Sequence, residues 1–384
     1  MYDKKIIKKK EKKDNTILIH PSSSLLKKNY SILSYLLDTY NNIGKIDITK
    51  NHNTKDIIQN KYIKSIIVIG DIHGDYECLL NCLQKGNIID SDITYNSKIE
   101  DINWCIHTKN VAVVQIGDIV DMKCRYKIND VTDIKERGDN LKIFRLLYKL
   151  QYQSANYKSK FICLFGNHEI DNVVGNFKYT SDKEFHEFYK EYGKDFDKDT
   201  TILGYNARKK IFSRGNILAR HLSHNFLAIV VVQNWLFVHA GISMEIVKKY
   251  TIKDINSIFK NWLLSSDDNH YYNNDIEVLY NNRNSILKTR ILCNLKDSSK
   301  NHLEYFMSLI HEINKKNNIN IDGIIIGHTP QINQGINSSF ENKLWRIDTG
   351  MSRAFNDNNS DRIRLLVIHT MHTNLNNNDR FKII

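Results

Sequence analysis

The sequence predicts an α/β fold, on three observations. Apolar, β-branched runs end at a Gly-Asp or Gly-Asn step, as at Ile66–Ile69, Val111–Ile116 and Phe161–Phe165. Stretches of helical spacing follow the first two, at Cys78 to Leu83 and Leu141 to Leu150. Five short fragments rich in oxygen and imidazole donors border such runs in one order: Gly70-Asp71-Ile72-His73-Gly74-Asp75, Gly117-Asp118-Ile119-Val120-Asp121, Gly166-Asn167-His168-Glu169, His239-Ala240-Gly241 and Gly327-His328-Thr329. Strand–loop–helix units of this kind carry their chemistry on loops at the carboxyl ends of the strands.

Taken along the chain, residues 1–25 read as a flexible basic arm, with seven lysines against three acids in the first twenty positions. Residues 26–61 read as an N-terminal extension with a helix from Tyr30 to Leu37, and 62–370 as the catalytic domain. Ile66–Ile69 is the first buried strand, and Cys78, Leu79, Leu80, Cys82 and Leu83 mark a helix closed by Gly86. Val111–Ile116 is the second strand, followed by a helix whose Leu141, Phe144 and Leu147 share a face. Phe161–Phe165 is the third strand. Phe226–Val232 and Trp235–Val238 flank Gln233-Asn234 and predict a hairpin. Ile324–Ile326, Leu344–Ile347 and Ile363–Ile368 read as further strands. The polar, partly helical stretches near 176–215 and 250–300 read as inserts over the cleft, and 371–384 as a frayed tail.

Composition narrows the function classes. The net charge of +12 suits anionic partners. It leaves nucleic acid possible, with nothing beyond charge in support. Six cysteines, at 78, 82, 105, 124, 163 and 293, include no Cys-x-x-Cys pair, which argues against a disulfide framework and a structural zinc cluster. Cys78 and Cys82, one helical turn apart, read as a core stripe. No apolar run reaches the ~18 residues of a membrane helix, and the basic start is not followed by a signal-type apolar stretch. A soluble, cytoplasmic protein is expected, with no membrane partner.

Asp71-Ile72-His73 alone would be an ordinary strand-end turn, and His239 after Leu236-Phe237-Val238 an ordinary core histidine. Two aspartates, an asparagine and three histidines at strand ends, in order, instead make a binuclear metal site the leading reading. Mn²⁺, Fe and Zn²⁺ all suit such mixed ligands.

The set resembles the calcineurin-like metallophosphoesterase superfamily, in its phosphoprotein phosphatase branch, and there the bacterial-like (Shewanella-like) serine/threonine phosphatases. Val114-Gln115-Ile116-Gly117-Asp118 is similar to that group's second motif, and Gly166-Asn167-His168-Glu169 with Asn172 to its third. Arg214-Gly215 through Ala219-Arg220 to Leu236–Ile242 resembles the fourth, and Ile347–Ser352 the closing strand and turn. The resemblance implies a two-sheet β-sandwich flanked by helices, in four α/β/β/α layers. It also implies two divalent metal ions: Asp71 and His73 at the first, Asp118 bridging, and Asn167, His239 and His328 at the second. A metal-bridging hydroxide would be the nucleophile, and His168, oriented by Asp121, the general acid.

The implied activity is hydrolysis of a phosphomonoester, on a phosphoprotein or a phosphorylated small molecule. The alternative is a nucleotide or RNA-end phosphohydrolase, similar to diadenosine tetraphosphatases. A non-catalytic metal-binding module comes third, because His168 and Asp121 are not among the implied ligands. One position departs from the pattern. The branch places a phosphate-gripping arginine directly after the residue matching Asp121, and here that residue is Met122. A thioether cannot replace a guanidinium. Arg125 and Arg290 are the substrate-binding candidates, ahead of Arg214, Arg220 and Arg353.

Overall fold

The computed structural model describes residues 55–125, 136–192, 200–266, 274–355, 360–370 and 377–384. The basic arm and the expected Tyr30–Leu37 helix lie outside these. The first half contains β1 (Ile57–Ile58), β2 (Ser65–Ile69), α1 (Tyr76–Lys85), β3 (Val111–Gln115), α2 (Asn140–Ser154), β4 (Lys160–Leu164) and α3 (Asn167–Val173). There follow α4 (Asp182–Tyr192), α5 (Thr200–Phe212), α6 (Ile217–Asn225), β5 (Phe226–Leu227), β6 (Ile229–Val232), β7 (Trp235–Val238), α7 (Met244–Lys249) and α8 (Ile252–Leu264). The last part adds α9 (Lys300–Asn317), β8 (Gly323–Ile326), β9 (Asn337–Ser339), β10 (Leu344–Arg346), β11 (Leu366–His369), α10 (Asn377–Arg380) and β12 (Phe381–Ile383).

Two six-stranded sheets result, ordered β12-β11-β2-β3-β4-β5 and β1-β6-β7-β8-β10-β9. In the first, β2 to β5 run parallel and β11 antiparallel to β2. In the second, β7, β8 and β10 are parallel. Alternate residues of one strand serve two cores. Ile66, Val68, Val114 and Leu164 meet Val230, Phe237, Ile325 and Trp345 between the sheets. Ile67, Ile69, Val113 and Cys163 pack outwards with Leu79, Leu83, Phe144 and Leu147 of α1 and α2. On the far face Leu236, Val238 and Ile324 pack with Phe259 and Phe306 of α8 and α9. Burial on both faces is why the central strands read as largely apolar runs. The layers are α/β/β/α, as the resemblance implies.

Two expectations meet a different outcome. Phe226–Val232 is not one strand: Phe226–Leu227 pairs with β4 in the first sheet, and Ile229–Val232 with β7 in the second. The Asn256 side chain accepts from the Ala228 and Ile229 amides (2.8 and 3.2 Å) where the chain changes sheets. The tail expected to fray supplies β12 at its described end, paired antiparallel with β11. There Phe381 packs edge-on to Trp235, 5.5 Å between centroids, so one aromatic anchors the short strand. The extension likewise contributes β1, parallel to β6. Gly86 does cap α1, its amide 3.0 Å from the Cys82 carbonyl. None of the six cysteines is in a disulfide, and Cys78 and Cys82 are buried. Among the described residues no helix is long and apolar enough to cross a membrane.

Candidate metal centre

Parallel strands bring their carboxyl ends to one edge, and there the five fragments meet. The chain leaves β2 at Asp71 and His73, β3 at Asp118, β4 at Asn167, β7 at His239 and β8 at His328. His73, Asp118, Asp121 and His328 all have left-handed backbones (φ 45°, 54°, 75° and 66°). Each such non-glycine residue costs about 1–3 kcal/mol, a strain that collects at functional sites. Two glycines allow close approach: a Cβ on Gly166 would collide with Asp118 Oδ1, and one on Gly327 with Asp71 Oδ1.

Hydrogen bonds lock the loops together. The Ile72 and His73 amides donate to the Asp118 carbonyl (3.0 and 2.8 Å). The His168 amide donates to Asp118 Oδ1 and the His328 amide to Asp71 Oδ2, both at 3.0 Å. Buried Glu169 accepts from the amides of Asp118, Ile119 and Gly166 at 2.9, 2.8 and 2.6 Å, joining the second loop to the third.

Asp118 Oδ2 is the centre of the cluster. His239 Nε2 is 3.2 Å from it, His73 Nε2 3.9 Å and His168 Nε2 3.9 Å. Asp118 with His239 and His328, and Asp118 with His73 and His168, each form a group whose donor atoms lie within 4.8 Å of one another. Asp71 Oδ2 is 4.0 Å from His73 Nε2. His239 Nδ1–H donates to the Ile116 carbonyl (2.9 Å), so Nε2 is the nitrogen that faces Asp118; burial pulls this imidazole down, but Asp118 more than offsets it. Asn167 Nδ2 donates to Asp171 Oδ2 (3.2 Å), so its Oδ1 faces His239 Nε2 at 3.3 Å.

The electrostatics fit divalent cations. Asp71 Oδ1 is buried without a hydrogen-bond partner. Burial, then Asp348 and Asp118, push the Asp71 carboxyl well above its ordinary range. Asp348 is itself pushed up to about 6, chiefly by burial. Burial pulls the His73 imidazole well down, with Arg125 and His168 adding to it, and burial takes His328 to about 3. Crowded carboxylates beside the neutral His73 and His328 imidazoles form a site that the positive charge of a metal ion would suit.

Beside the cluster, His168 Nδ1 lies 2.8 Å from Asp121 Oδ2. Burial pulls His168 down, but Asp118 and Asp121 more than offset it and hold the imidazole above its ordinary range. Arg125 enters between the histidines, its Nη2 3.1 Å from His73 Nδ1 and 3.3 Å from His168 Nε2. Its guanidinium is stacked between Tyr179 and Phe355, 5.0 and 4.7 Å from the ring centroids. Arg290 is exposed, within electrostatic range of His328. Met122 is buried, its amide 3.0 Å from Glu184 Oε2. Arg353 pairs with Asp75 at the start of α1, Nε to Oδ2 2.9 Å. Of the two arginines singled out from the sequence, Arg125 reaches the cluster.

Sequence reasoning missed two residues. Asp348, buried with Oδ2 unpartnered, follows β10 as His328 follows the parallel β8. Its signal was visible: Ile347-Asp348-Thr349-Gly350 repeats the apolar-then-acid step of the other fragments. Arg208 of α5 reaches Asp121 Oδ1 at 3.2 Å from a stretch read only as cover.

Comparisons with known proteins give the family and the fold. Residues 64–331 match the calcineurin-like phosphoesterase family. The chain is similar to Shewanella-like protein phosphatase 1 of Plasmodium berghei (strain Anka), 27% identical over 293 residues, 76% of this chain and 68% of that one. It is also similar to Shewanella-like protein phosphatase 2 of Arabidopsis thaliana, 26% identical over 337 residues, 79% of this chain and 75% of that one. Among solved structures, the cold-active protein-tyrosine phosphatase of a psychrophilic Shewanella species shares the fold. Its TM-score is 0.55 at 20% identity, covering 83% of this chain and 78% of the other. The chain belongs to the calcineurin-like phosphoesterase family and is a hydrolase of the phosphatase class.

Proposed function

We propose that the chain is a binuclear-metal-dependent protein phosphatase. One observation carries the reading: a donor cluster centred on Asp118 lies beside a buried imidazole–carboxylate pair, His168 and Asp121. Asp71, His73 and Asp118 would hold one ion, and Asp118, Asn167, His239 and His328 the other. Two divalent ions, when bound, would supply Lewis acidity towards the phosphoryl oxygens and an activated water.

The chain's own residues do the rest. Asp121 Oδ2 accepts a hydrogen bond from His168 Nδ1–H, which fixes the ring and directs Nε2 towards the leaving oxygen. His168, raised above its ordinary range, delivers the proton there. Arg125, pinned between two rings, grips a phosphoryl oxygen in place of the arginine absent at Met122. A neutral imidazole has one lone pair. His73 therefore cannot accept from Arg125 at Nδ1 and also offer Nε2 as a ligand. When Nε2 serves as the ligand, the proton sits on Nδ1 and Arg125 is released towards the substrate.

The relatives' names support protein-bound phosphate as the substrate class. The test is phosphate release from phosphothreonine and phosphotyrosine peptides, with a dinucleoside polyphosphate in the same panel. Faster turnover of the dinucleotide would replace this reading with the nucleotide alternative.

A further inference from the structure

The geometry points to Arg208 as a positioning residue for proton delivery, acting on His168 through Asp121 and Asn172. This inference rests on the proposed role of His168. Arg208 is fully buried in α5, with 0% of its surface exposed. Its Nη2 lies 3.2 Å from Asp121 Oδ1 and its Nε 2.6 Å from Asn172 Oδ1. Phe188 and Phe212 flank the guanidinium, their centroids 4.9 and 5.0 Å away. One turn earlier, a Cβ on Gly204 would collide with the Phe185 carbonyl, so α5 crosses α4 at backbone contact. That crossing carries Arg208 inwards.

A buried guanidinium is tolerated only with good partners, since desolvation costs several kcal/mol. These partners belong to the proton-delivery loops, 36 and 87 residues away in sequence. The bond to Arg208 sets the Asn172 amide with its oxygen outwards, so Nδ2 donates to both Asp121 oxygens (3.0 Å each) and to the His168 carbonyl (2.9 Å). Arg208 and Thr180 both donate to Asp121 Oδ1, and His168 Nδ1 meets Oδ2. Arg208, together with Thr180, thereby holds the Asp121 carboxylate in the plane that presents one oxygen to the imidazole. The helical insert read from the sequence as cover is, on this account, part of the proton-delivery apparatus.

The test compares leaving groups, because a poor one needs the proton and a good one does not. Wild type, H168A, R208M and R208K are assayed on phenyl phosphate and 2,4-dinitrophenyl phosphate, with bound metal measured by mass spectrometry. R208M is expected to lose about 10–100-fold in kcat on phenyl phosphate, with KM and metal content held and little loss on the dinitrophenyl ester. R208K should fall between, since an ammonium cannot make both bonds. In a D121N background R208M should add little, a non-additivity that marks a shared pathway.

Equal losses on both esters, or additive losses in the cycle, would make Arg208 scaffolding and overturn the proposal. Should R208M not fold, R208K decides alone, and wild-type leaving-group selectivity in it overturns the proposal as well. H168A separates the two levels. If H168A itself shows no leaving-group dependence, the reading of His168 fails. If it does and the Arg208 variants do not, only this inference fails.

Discussion

His168 Nδ1 stands 2.8 Å from Asp121 Oδ2 while its Nε2 lies 3.9 Å from Asp118 Oδ2. One nitrogen is held by a carboxylate and the other is presented to the cluster. The adjacent Asn167 faces His239 instead, because α3 begins at that step and sends consecutive side chains in different directions. On the proposed reading, acid and ligand are neighbours in sequence without sharing a job.

Replacing His168 by alanine should lower kcat by about 10²–10⁴-fold, the usual worth of a general acid. Metal content should stay at the wild-type level. Metal loss in H168A, measured by mass spectrometry, would make His168 a ligand and remove it as the acid.

Asp118→Asn should abolish turnover and weaken binding of both ions, because donors of both groups converge on one carboxylate. Isothermal titration with Mn²⁺ reads this directly. Loss of one ion with retention of the other would place the bridge elsewhere.

Arg125→Ala should raise KM for a phosphopeptide about tenfold or more, the worth of a hydrogen bond to a charged group. Arg125→Lys should restore little of it, because an ammonium lacks the planar fork. The alanine variant should also bind Mn²⁺ more readily, since His73 is freed. Exposed Arg290→Ala should change KM less; the reverse ranking would move the phosphate grip to Arg290.

His221 gives a pH prediction away from the centre. It is packed against Phe144, Tyr148 and Phe226, and burial takes it down to about 3 from 6.5. Between those values the unfolded chain binds the proton and the folded chain does not. Stability attributable to this group therefore falls as pH drops from the unfolded value towards the folded one, by up to ~1.4 kcal/mol per pH unit. Urea unfolding at pH 7 and pH 5 should show a smaller difference in His221→Asn than in wild type; an unchanged difference would contradict the assignment.

What could be read from the sequence follows from how local each signal is. Ile66–Ile69 and Val111–Ile116 were legible because both faces are buried, leaving an unmistakable apolar run before a Gly-Asp step. The Phe226–Val232 run was misread as one strand, because nothing in its apolar pattern marks the change of sheet at Ala228; the Asn256 side chain that receives the amides there comes from α8. The pairing of Phe381–Ile383 was missed because its strand is short, follows an Asn-rich polar stretch and is held by an aromatic contact with β7. At the site, fragments carrying their own glycines announced themselves. Arg208 did not, since its meaning depends on partners from distant loops. Arg125 stood out only as a nearby charge, and its place between Tyr179 and Phe355 is a tertiary fact.

The most direct measurement is phosphate release from a phosphothreonine peptide by the purified full chain, with Mn²⁺ added and with chelator. The account predicts release that requires the metal, is abolished by chelator and returns when Mn²⁺ is restored. Equal release in chelator, or none from any phosphopeptide with both ions bound, would contradict a metal-dependent protein phosphatase.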